Sequence, residues 1–115
     1  MAVLPILIAP HPTLKRRADP VQEVDAEIRQ LTEDMLETMY DAPGVGLAAP
    51  QVDVAKRVVV IDCADEGEAP QPYRMINPEL LWTSEETDTR EEGCLSLPEI
   101  YADVTRPAAC KVAYL

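Results

Sequence analysis

Glu92-Gly93-Cys94-Leu95-Ser96-Leu97-Pro98 is the stretch around which the rest of the chain reads. A thiol set between a glycine and a short apolar run closed by proline fills a core poorly, but it presents sulfur at a fixed angle. A second unusual stretch lies upstream, Gly44-Val45-Gly46-Leu47-Ala48-Ala49-Pro50-Gln51, where small residues let other groups approach the backbone closely. Three of the four glycines fall in these two segments. By themselves the residues leave several chemistries open. As a thiolate, Cys94 serves either as a metal ligand or as a nucleophile, and both roles need partners that lower its pKa. The usual partner of a nucleophile is histidine. The sole histidine, His11, sits in Pro10-His11-Pro12-Thr13, which reads as a rigid, extended or turning segment with no motif around it. Gln51 is a neutral amide able to donate to developing negative charge, and equally able to be an ordinary buried glutamine satisfied by backbone.

Working outward, 115 residues with 47% hydrophobic content are enough for one domain spanning 1–115 and exclude two. The net charge of −11 argues against nucleic-acid binding, which draws on clustered Lys and Arg. The small cluster Lys15-Arg16-Arg17 reads as solvated surface. No segment is long enough to span a bilayer, and the apolar opening run to Pro10 has its basic residues after it, the reverse of a secretory signal. Cys63, Cys94 and Cys110 lie at wide, unrelated spacings and form no disulfide framework, which fits a reducing, cytoplasmic setting.

From Asp25 to Tyr40 the apolar residues Ile28, Leu31, Met35, Leu36 and Met39 recur at helical spacing, with charged residues between them. This predicts one amphipathic helix in the N-terminal half, capped by Asp25 and stopped by Asp41-Ala42-Pro43-Gly44, its two methionines serving the core. Arg57–Asp62 reads as a buried β-branched strand closed by a buried Cys63. After a polar loop from Ala64 to Pro72, strands are predicted at Arg74–Asn77, at Glu79–Thr87 leading into the cysteine stretch, at Val104–Pro107 and at Cys110–Leu115. One helix followed by short strands implies an α+β domain with a mostly antiparallel sheet.

The two stretches together resemble the first and second signature motifs of the peptide deformylases, G-φ-G-φ-A-A-x-Q and E-G-C-φ-S-φ-P, in that order and at about the usual separation. The likeness covers essentially all 115 residues. The resemblance implies a deformylase fold and a hydrolase that removes the formyl group from the N-terminal methionine of nascent peptides. It makes Cys94 the sulfur ligand of one divalent metal, Fe²⁺ in the cell for many members, with Zn²⁺ or Ni²⁺ able to replace it. It makes the Gln51 amide and the Leu95 backbone N–H donors to the tetrahedral oxyanion, worth roughly 3 kcal/mol each in comparable sites. Val45 and Gly46 would hold the peptide, and Glu92 and Arg106 would form a structural ion pair fixing the cysteine loop. Arg90 stands where many members carry an apolar side chain near the methionine pocket. Formyl-methionyl nascent chains, and the ribosome that makes them, are the partners the family implies.

The third motif of that family, a helical His-Glu-x-x-His that supplies two histidine ligands and a general-base glutamate, does not occur in these residues. The expectation is therefore a domain without its C-terminal catalytic helix, inactive or nearly so as this chain alone. Apolar sheet surface left exposed by that helix would be open to covering by a second copy. A chain ending within an apolar strand pattern reads as a fragment of a longer deformylase; the alternative is a catalytically dead deformylase-like module that binds peptide ends. A reading from another class makes Cys63, Cys94 and Cys110 a redox or structural zinc set.

Overall fold

The computed structural model describes residues 2–64 and 67–115, so Asp65 and Glu66 of the predicted polar loop lie outside the described residues. Among the described residues, two helices and seven strands follow in the order α1 (Pro12–Lys15), α2 (Ala26–Asp41), β1 (Gly46–Ala48), β2 (Val58–Ile61), β3 (Tyr73–Ile76), β4 (Glu79–Thr83), β5 (Thr87–Cys94), β6 (Leu97–Pro107) and β7 (Cys110–Ala113). A short 3₁₀ turn, Ala49–Val52, separates β1 from β2. The strand ladders are all antiparallel: a three-stranded sheet ordered β1-β2-β3 and two ribbons, β4 with β7 and β5 with β6. The fold is α+β, as the sequence implies.

Helix α2 forms where its periodicity places it. The Asp25 carboxylate accepts from the Ile28 N–H at 2.9 Å and so satisfies an otherwise orphaned donor of the first turn. Ile28, Met35, Leu36 and Met39 are buried along one stripe, Met35 and Met39 completely. That stripe shares one core with Leu47 of β1 and with Val58 and Val60 of β2. Burying each such side chain stabilises by about 1.5–3 kcal/mol, which holds helix and sheet together. The methionines are core residues, as their spacing predicts.

Several local expectations change. His11 caps the one-turn helix α1, its Nδ1 accepting from the Thr13 N–H at 3.2 Å, so a short helix precedes the predicted one. The predicted strand Glu79–Thr87 is two strands in different ribbons. The break falls at Ser84, whose hydroxyl donates to the Glu86 carbonyl at 2.7 Å and accepts from the Ala109 N–H at 3.0 Å; a serine that bonds nearby backbone offers the chain a turn instead of a ladder. Strand β6 begins at Leu97, well before the predicted Val104, because its pairing with β5 survives a bulge: Gly93 faces Tyr101 while Cys94 faces Leu97. Pro98 and Glu99, the latter at φ 61°, fall in that bulge, where a missing N–H costs no ladder bond.

Cys63 is exposed, contrary to expectation. Strand β2 ends at Ile61, and the group buried next is Asp62. Its carboxylate accepts from the Tyr40 hydroxyl, the Ala64 N–H at 3.0 Å and the Gln71 N–H at 3.2 Å, binding the loop back onto α2. The Tyr40 bond foremost holds this carboxyl below its usual range and holds the phenol above its own.

Asn77 closes the other end of the sheet. At φ 52°, in the left-handed region that asparagine tolerates better than most residues, it accepts from the Val21 N–H at 2.7 Å and donates to the Val21 carbonyl at 2.6 Å. Asn77→Ala removes two part-buried hydrogen bonds of about 1 kcal/mol each and leaves a backbone conformation alanine resists. The expected loss is roughly 2–3 kcal/mol in urea unfolding, whereas Asn77→Gly, which accepts the backbone, loses less.

Candidate active site

The two motif stretches meet because different elements deliver them to one place. Helix α2 ends at Asp41, and the chain turns through Pro43 and Gly44 into β1, then through the 3₁₀ turn that carries Gln51. Gly44 packs closely under the other stretch: a Cβ there would stand 2.9 Å from Cδ1 of Leu95 and would push that side chain aside. Cys94 ends β5, and Leu95-Ser96 make the two-residue turn into β6.

Gln51 and Cys94 face each other. The Gln51 Nε2 lies 3.8 Å from Cys94 Sγ and 3.2 Å from Ser96 Oγ. Its Oε1 accepts from the Ala48 N–H at 3.0 Å. Both ends of the amide are therefore occupied, and neither of the two pictures left open by the sequence holds alone: the backbone satisfies the oxygen while the nitrogen is left facing sulfur. The N-terminal segment fastens both sides, Leu7 N–H donating to the Gln51 carbonyl at 2.7 Å and Ala9 N–H to the Ser96 carbonyl at 2.9 Å. Sequence reasoning missed Ser96 and this strap. The serine two residues after the cysteine, inside the motif itself, was the available signal; the strap left none, because main-chain donors carry no side-chain signature.

Beside the pair lies an open groove of about 820 Å³, lined by Ile8, Gly44, Val45, Cys94, Leu95 and Tyr101 among others. Val45 is 64% exposed and Leu95 half-buried against the core. Gly46 differs from Gly44: the only atom within 4 Å of a Cβ built there is the Val60 carbonyl oxygen, at 3.8 Å, so the fold itself does not demand glycine at this position.

Glu92 and Arg106 form the expected pair, with two hydrogen bonds of 2.6 and 2.7 Å spanning the β5–β6 ribbon diagonally. Arg106 holds the Glu92 carboxyl below its usual range, and Glu92 raises the guanidinium in turn. A carboxylate so held is a poor proton acceptor. Arg90 turns to its own strand, donating to Asp88 at 2.7 Å.

Among the described residues, no cluster of three or more His, Cys, Asp or Glu side chains is placed to hold a metal ion. The three free cysteines are all exposed, Cys63 in the loop after β2, Cys94 on β5 and Cys110 on β7, and the three-sulfur zinc reading fails for want of convergence among the described residues. Cys94 alone does not fit a catalytic metal, which takes three protein ligands and keeps a fourth position open. The donor set of these 115 residues and the metal that the family implies therefore disagree.

A thiol faces a pinned carboxamide beside an apolar groove, on an α+β scaffold, and two loops carry the pair. The comparisons specify it further: the family model for polypeptide deformylase matches residues 3–115, and the chain belongs to that family. It is 57% identical to the peptide deformylase of Phenylobacterium zucineum and 53% identical to that of Rhizobium meliloti, in each case over all of this chain and 68% and 66% of the relative. The chain thus spans about two thirds of the length of these curated relatives. Among solved structures, the Ehrlichia chaffeensis peptide deformylase in complex with actinonin superposes with a TM-score of 0.94 at 40% identity, covering 100% of this chain and 69% of that one. The Thermotoga maritima enzyme gives 0.89 at 42%, covering 99% and 74%.

The Glu92–Arg106 pair carries a pH signature. Because the folded pKa of Glu92 lies below its unfolded value, the pair stabilises fully above the ordinary carboxylate range, and that contribution disappears as pH falls through the lowered value. Glu92→Gln is therefore expected to lower the denaturant midpoint at pH 7, with wild type and variant converging as the solution is acidified through that range. Equal gaps at both ends of the titration would refute this.

Proposed function

We propose that this chain carries the sulfur, amide and peptide-holding elements of a peptide deformylase centre, acting on formyl-methionyl nascent peptides in the cytoplasm. The observation that supports this most is the Gln51 amide, pinned at its oxygen and facing Cys94 Sγ at 3.8 Å. Hydrolysis of a formamide adds water across its C–N bond, giving formate and a free amine through a tetrahedral oxyanion. Gln51 Nε2 and the Leu95 backbone N–H are the donors for that charge; being positioned in advance, they reorganise little during reaction. Val45 and Gly46 hold the peptide against the edge of β1. A glycine that the fold does not require, beside an exposed valine, fits a place where a substrate backbone lies close.

Cys94 is the sulfur this chain offers to the family's divalent metal. One sulfur is short of the set, and Glu92, held by Arg106, is no substitute base, so the 115-residue chain alone is expected to release little or no formate. The same shortfall favours a second reading, a deformylase-like module that binds formylated peptide ends without turning them over.

Titration of ¹⁵N-labelled chain with a formyl-Met tripeptide tests the peptide-holding elements, and a formate assay on the same sample tests turnover. Amide shifts at Val45, Gly46 and Leu95 are expected, with formate no higher than in buffer. Gly46→Ala should weaken binding by about tenfold, or about 1.4 kcal/mol, and leave the unfolding midpoint unchanged within about 0.5 kcal/mol. Silence at those three amides would sink the assignment, and catalytic formate release by the chain alone would overturn the expected inactivity.

A further inference from the structure

Ser96 takes no part in the roles described so far, yet it is 4% exposed and its hydroxyl meets the Gln51 side chain, which faces Cys94. A carboxamide offers two N–H donors and one carbonyl acceptor, and its heading is undefined unless both ends find partners. The Ala48 N–H occupies the Gln51 oxygen and so decides which end is nitrogen. On the nitrogen side the close partner is Ser96 Oγ at 3.2 Å, the sulfur standing farther off at 3.8 Å. Without the hydroxyl, a bond at the oxygen end alone would leave the amide free to pivot about it.

The main chain adds a second constraint. Leu7 N–H bonds the Gln51 carbonyl and Ala9 N–H bonds the Ser96 carbonyl, so two residues of one segment fasten the backbones that carry both partners. The two backbones that carry Oγ and Nε2 are therefore held by one segment, so the hydroxyl and the amide meet without either main chain having to move.

We infer that Ser96 is a positioning residue: its buried hydroxyl accepts from Gln51 Nε2 and, with Ala48, locks the carboxamide so that its donor faces the Cys94 side of the groove. The functional value of this lock rests on the deformylase reading, in which Gln51 stabilises the oxyanion; the lock itself does not. Orientation is settled by folding before substrate arrives, so the donor need not be ordered during reaction.

Side-chain ¹⁵N relaxation of the Gln51 amide in the full chain tests it. In wild type the Nε2 order parameter is expected near that of rigid backbone, about 0.85, with a nuclear Overhauser contact between the Gln51 amide protons and the Ser96 Hβ protons. Ser96→Ala should drop it below about 0.6 while amide shifts away from the two loops stay put, and Ser96→Thr, which keeps the hydroxyl, should restore it. A merely structural serine would not move this one side chain selectively. An amide equally rigid in Ser96→Ala overturns the inference. Should that variant fail to fold, wild type alone decides: a mobile Gln51 amide, or no contact to Ser96, overturns it too. None of these readouts uses formate, so a chain that hydrolyses nothing leaves them intact, and the two readings fail separately.

Discussion

Burial of the apolar stripe of α2 against the three-stranded sheet is the constraint on which everything else depends. Met35, Met39, Val58 and Val60 have no exposure to solvent at all, and Leu47 has almost none. Once those side chains are sealed together, the end of α2 and the two ends of β1 have fixed places. Gly44, Val45, Gly46 and Gln51 all lie within that short connection, so half of the site is a by-product of the core.

The other half is attached differently. The β5–β6 ribbon buries little, and the cysteine turn at its tip is held mainly by the N-terminal segment and by Gln51. That segment runs from Asp34 and Thr38 of α2, through Gln51, to Ser96, donating a backbone N–H at each stop. Eight residues, Ala2 to Ala9, with hardly any side-chain signature thus join the two motifs. Leu80, Leu81, Trp82, Ile100 and Tyr101 remain exposed on the ribbons.

How much of this the residues announce varies with the range of the interaction. Helix α2, its Asp25 cap and its methionine core follow from a period of 3.6 read over sixteen residues, and the structure repeats them almost residue for residue. The Glu92–Arg106 pair came from resemblance, and its geometry is as expected. The errors cluster where a polar side chain overrides a propensity. Ser84 breaks a predicted strand by bonding nearby backbone, and Asp62 takes the buried place that Cys63 was given, because a carboxylate with three hydrogen-bond donors can be buried and a strand end has room for only one of them. His11 became a helix cap because its ring nitrogen lay within reach of one orphaned N–H.

The identity of the two motif stretches, the amphipathic helix and the shortage of metal donors are properties of the sequence by itself, since residue types, local periodicity and the count of histidines do not depend on how the chain folds. That Gln51 and Cys94, 43 positions apart, stand 3.8 Å from each other is a decision of the tertiary structure alone. So are the partners at either end of the amide, Ala48 and Ser96, and the strap that fastens them. Hydrogen bonds between distant main-chain groups leave no trace in residue type, because every non-proline residue carries the same donor and acceptor, and only the packed core determines which of them meet.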